Sequence, residues 1–133
     1  DLNRALSLLG HVLSQSRTTG VSLVMALTTQ TLGLAYARAL LDEGMPASRL
    51  YKALFDFLSA GKGLTSRPWG EAVNSWARAA NMWTSSELKD ACEILLRADI
   101  SLKDTRSSSD EQALTSLILE LCERRKSVTA KRY

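Results

Sequence analysis

The stretch LKDACEILLRADISLKDTRSSSDEQALTSLILELC, residues 88–122, decides the fold. Its first half carries Leu88, Cys92, Leu95, Leu96 and Leu102, and its second half Leu114, Leu117, Ile118, Leu121 and Cys122. Apolar residues recur three and four positions apart in both halves, the period of a helix with one apolar stripe. The polar run 104–109 between them reads as a turn. Neither stripe is stable in water, so the two helices fold back on each other and bury their stripes against the rest of the chain. Thr84 with Glu87 is a capping-box pattern opening the first helix. Ser109 with Gln112, or Ser108 with Glu111, does the same for the second.

The preceding chain has the same character. A helix is expected over 2–16, with Leu2, Ala5, Leu6, Leu9, Val12 and Leu13 as its stripe; Gly10 costs helicity and allows close packing. A longer helix over 21–43 is apolar on most sides, which predicts a central position, although Thr28, Thr29, Gln30 and Thr31 interrupt it with polar groups. Gly44 and then Pro46 mark its end. The third helix covers 47–60, with Leu50, Leu54, Phe57 and Leu58 inward and Tyr51 and Phe55 at the borders. Pro68 suits the first turn of a fourth helix, which runs to about Met82 with Trp69, Val73, Trp76 and Ala80 three or four apart. No alternating Val-, Ile- or Thr-rich run indicates a strand. The expected fold is therefore all-α, a single-domain helical bundle of about six helices over 1–123. A basic tail, 124–133, reads as a frayed, solubilising end.

The 133 residues suit one domain with a real core. Hydrophobic residues make up 45% and aromatics only 6%, and Leu and Ala dominate over Val and Ile, which favours helix. The net charge of +3 is concentrated in the tail, which holds five of the 17 basic residues and none of the 14 acidic ones. Without it the chain is slightly acidic, which argues against a basic nucleic-acid platform. No apolar run reaches the roughly 18 residues of a membrane span, and no signal peptide is visible. A chain opening at Asp1 reads as an excised domain. Cys92 and Cys122, the two cysteines, fall at similar heights on the closing hairpin and read as buried free thiols.

Little suggests a reaction centre. His11 has no companion His or Cys cluster, so no metal site is expected. Gly61-Lys62-Gly63 fails as a phosphate-binding loop: Asp56 stands where the first glycine belongs, and Gly63 follows the lysine where Ser or Thr is required. No catalytic residue, cofactor site or small-molecule substrate can be assembled, and the chain reads as non-enzymatic.

One resemblance spans nearly the whole chain. Leu95-Leu96-Arg97-Ala98-Asp99-Ile100-Ser101-Leu102-Lys103, a short polar turn, Ala113-Leu114, and Leu117 through Cys122 together resemble the end of the delta subunit of the bacterial DNA polymerase III clamp loader. There an Ala-Asp-x-x-Leu-Lys pattern precedes a variable turn and a Leu-rich helix ending in Cys. Leu6 to Leu13, and the long helix ending Ala37-Arg38-Ala39-Leu40-Leu41-Asp42-Glu43-Gly44, are similar to the family's two preceding helices. The Gly-rich segment 60–67 departs from the pattern. The resemblance implies a collar domain, a helical bundle that packs beside the collar domains of the gamma or tau and delta prime subunits. Its role would be assembly of the loader that places the sliding clamp on primed DNA. That implies a bacterial, cytoplasmic location with no membrane partner. The alternative is a free-standing helical nucleic-acid-binding or adaptor domain, for which the tail is the only strongly basic segment.

Two kinds of contact residue follow. Over 49–78 five basic residues stand against two acidic ones, and Trp69 lies beside Arg67 at a helix start. An exposed aromatic among cations can stack on an unpaired base. In the family the collar lies near the departing template, which makes Trp69 and Arg67 candidates for a template contact, with Arg106 in the last turn as a further candidate. Trp69 reads first as core, like Trp76 and Trp83. Leu119, off the buried stripe of the last helix, is the candidate subunit-interface residue on the outward faces of the closing hairpin.

Overall fold

The computed structural model describes residues 1–15, 19–61, 68–103 and 110–131, and in the last helix the side chains of 111–124 alone. The protein is an all-α helical bundle, with six helices among the described residues: α1 (Leu2–Leu13), α2 (Gly20–Asp42), α3 (Ala47–Ala60), α4 (Gly70–Ala79), α5 (Ser85–Lys103) and α6 (Asp110–Lys131). A 3₁₀ turn, Ala80–Met82, follows α4 directly. No strand occurs among the described residues. Helix α6 continues to Lys131, well past residue 124, where the basic tail was expected to begin.

The helix ends follow from local chemistry. The Asp1 carboxylate accepts hydrogen bonds from the backbone N–H groups of Asn3 and Arg4 and caps α1. At the start of α2, Thr19 Oγ1 accepts from Ser22 N–H at 3.1 Å, and Ser22 Oγ accepts from Thr19 N–H at 3.0 Å. This is a reciprocal box with Ser in place of Glu. The box expected at α5 forms: Thr84 Oγ1 accepts from Glu87 N–H, and Glu87 Oε1 accepts from Thr84 N–H. The two boxes considered for α6 involve residues 108 and 109, which lie outside the described residues. Helix α2 ends in a Schellman motif. Gly44 takes φ +95°, its N–H donates to the Leu41 carbonyl, and Met45 N–H donates to the Leu40 carbonyl, each at 3.0 Å.

The chain forms two compact units, 1–27 with 90–133, and 28–89, each with its own buried cluster. In the first unit Leu9 of α1, Val24 of α2, Ile94, Leu95 and Ala98 of α5, and Leu114 and Leu117 of α6 form one buried cluster. Helix α1 packs against α6 there. In the second unit Ala37 of α2, Leu50, Leu54 and Leu58 of α3, Val73 and Trp76 of α4, and Ala80 form another. Leu50, Leu54 and Leu58 recur every fourth residue on one side of α3, and burying each contributes about 1.5–3 kcal/mol. Tyr36 and Phe57 stack beside them with centroids 4.2 Å apart.

The long α2 is not the central buried helix that its composition predicts. Its most apolar window is only 22% buried, and it is long and apolar enough to cross a membrane by length and composition, contrary to the expectation that no such segment exists. Val24 belongs to the first core and Ala37 to the second. Elsewhere on the helix Met25 and Leu32 remain 63% and 45% exposed.

A polar clip closes the second unit. Arg38 donates through Nε (2.9 Å) and Nη2 (2.6 Å) to Asp42 Oδ1, and through Nη1 to the Ala80 carbonyl at 3.3 Å. Ser85 Oγ donates to Asp42 Oδ2 at 2.7 Å. The end of α2 is thereby joined to the 3₁₀ turn and the first residue of α5. The Ser85 hydroxyl, then the Arg38 guanidinium, hold the Asp42 carboxyl below its ordinary value of 3.8. A carboxyl depressed on folding stabilises above its unfolded value and loses that effect as the pH falls through its folded value. Asp42→Ala is thus expected to lower the urea midpoint at neutral pH, with the gap to the parent chain narrowing below pH 3.8. Parallel urea titrations at about pH 7 and about pH 3 check this.

Candidate subunit interface

Of the two adjacent leucines of α5, Leu95 is in the core and Leu96 is not. At 100° per residue, Leu88, Ala91, Leu95 and Ala98 share a side, and all four are buried. Leu96 is turned away from them and is 60% exposed, which corrects its assignment to the buried stripe. Ile100, one turn further on, is also 60% exposed. Cys92, also assigned to the stripe, is half-buried. Leu96 and Ile100 form an outward apolar step on α5, with the exposed residues Lys89, Glu93 and Lys103 along the same helix.

Leu119, the candidate interface residue on α6, is half-buried. Leu117 is buried, and Ile118 and Leu121 pack partly buried against the same core. The apolar side of α6 is wider than a strict stripe and takes in both flanks. Arg97 Nη2 donates to Glu120 Oε2 at 3.1 Å, joining α5 to α6 across the surface. Both side chains are about half exposed, so the pair contributes at most about 1 kcal/mol. Beside it lies a groove of about 300 Å³ floored by Ile94 and Leu117. Cys92 and Cys122 are free and half-buried, and burial pushes the Cys92 thiol up, which disfavours its thiolate.

Trp69 is the residue before α4, and its carbonyl accepts from Val73 N–H at 3.0 Å. It is half-buried and packs against the second core. Its ring meets Phe55 edge-on at 5.5 Å, and Phe55 lies 6.4 Å from Tyr51. Tyr51 and Phe55 are the exposed members of this aromatic run, 42% and 39% accessible. Trp76 is fully buried and Trp83 half-buried. Arg67 and Arg106 lie outside the described residues, as does the Lys62-Gly63 pair. His11 is exposed in the last turn of α1, and among the described residues no three His, Cys, Asp or Glu side chains gather.

The sequence reading missed Leu96 and Ile100 as surface residues. Periodicity did not decide it: at 100° per residue Leu96 lies about 80° from Leu88, nearer than Ile94, which is buried. Comparisons with protein-family models, curated proteins and solved structures gave no match.

The adjacent leucines give a direct test. Leu95→Asp buries a carboxylate without a partner and is expected to cost several kcal/mol. Leu96→Asp is expected to leave stability within about 0.5 kcal/mol of the parent. Urea unfolding of the two variants measures both effects.

Proposed function

We propose that this chain is an assembly module, the collar domain of a delta subunit of the DNA polymerase III clamp loader. Its role in that reading is to hold the loader together with the gamma or tau and delta prime subunits, without a reaction, cofactor or small-molecule substrate of its own. The reading rests on the order of motifs quoted above. Leu95 to Lys103 ends α5, the polar run 104–109 follows, and the Leu-rich segment with Cys122 lies within α6. The similar segment ending at Gly44 coincides with the capped end of α2.

The observation that carries an assembly role is the outward Leu96–Ile100 step. Two large aliphatic side chains, each 60% exposed on one helix face, are the kind of surface that a neighbouring subunit covers. Trp69, with Arg67 and Arg106, is assigned to the departing template strand in the same reading. Its half-buried ring leaves part of the indole for stacking on an unpaired base. The location that follows is the bacterial cytoplasm, at the nucleoid during replication.

One observation favours the alternative, a free-standing nucleic-acid-binding or adaptor domain. The backbone of α6 runs through Arg124, Arg125, Lys126 and Lys131, so this basic sequence is helical rather than coil. A basic helix is the usual electrostatic footprint of a nucleic-acid contact.

Co-purification separates the two. The chain is expected to be retained by gamma or tau together with delta prime, and Leu96→Asp with Ile100→Asp to abolish retention while the helical circular-dichroism signal is kept. Absence of retention, with tight salt-dependent binding of duplex DNA, would establish the alternative. Within an assembled loader, Trp69→Ala is expected to weaken primed-DNA binding by about 1–3 kcal/mol, with smaller losses for Arg67→Ala and Arg106→Ala. An unchanged affinity in a fluorescence titration would remove Trp69 from the template path.

A further inference from the structure

We draw no further inference here: the strongest candidate, the groove of about 300 Å³ between α5 and α6, is walled by the small residues Ala98, Ser101, Ala113 and Ser116 and rimmed by an Arg97–Glu120 pair that satisfies itself, so no second feature points to a ligand.

Discussion

The indole of Trp76 lies against the backbone of α2 at Gly33, and the second unit is arranged around that contact. Trp76 is 1% exposed, and its ring occupies the space that a side chain at Gly33 would need. A Cβ built there would come within 2.6 Å of Trp76 Cζ2 and closer still to two other ring carbons. The indole N–H donates to Gln30 Oε1 at 2.7 Å, one turn earlier on α2, so the polar edge of the ring is satisfied. Glycine within a helix costs about 1 kcal/mol relative to alanine. The cost is offset where it lets the largest side chain in the core approach a helix axis closely.

That contact fixes which side of α2 turns inward after Thr28. Ala37 follows Gly33 by one turn and is fully buried, while Leu34, Leu40 and Leu41 flank the same cluster. At its far end α2 is closed by the Gly44 Schellman turn and held by Arg38 and Asp42 to Ala80 and Ser85. Before Thr28, Leu23, Val24 and Leu27 serve the other core. A single helix thus supplies residues to both cores.

That explains what could be read in advance and what could not. Helix α3 was legible to its ends, because Pro46, the Leu50–Leu54–Leu58 spacing and Gly61 are all local signals. The Thr84–Glu87 box was legible for the same reason. The division into two cores was hidden, since an all-round apolar helix reads as a central one when no partner is known. Leu96 was misplaced by assigning both of two adjacent leucines of α5 to the buried stripe. Gly10 illustrates the converse: it was read as a close-packing site, yet it is exposed and nothing lies near its missing Cβ. The proposed role was legible only through resemblance. Motif order suggested it, and spacing and composition alone would have stopped at a helical bundle.

Gly33 and Gly10, both inside helices, make a matched pair for testing this account. Equilibrium urea unfolding of Gly33→Ala and Gly10→Ala, each against the parent chain, is the most direct measurement. Helix propensity alone predicts that both substitutions stabilise by about 0.5–1 kcal/mol. Packing of Trp76 on α2 predicts opposite signs: Gly10→Ala stabilises by that amount, and Gly33→Ala destabilises by about 1–3 kcal/mol as the ring is forced from its seat. Equal stabilisation by the two substitutions would contradict the arrangement of the second unit around Trp76.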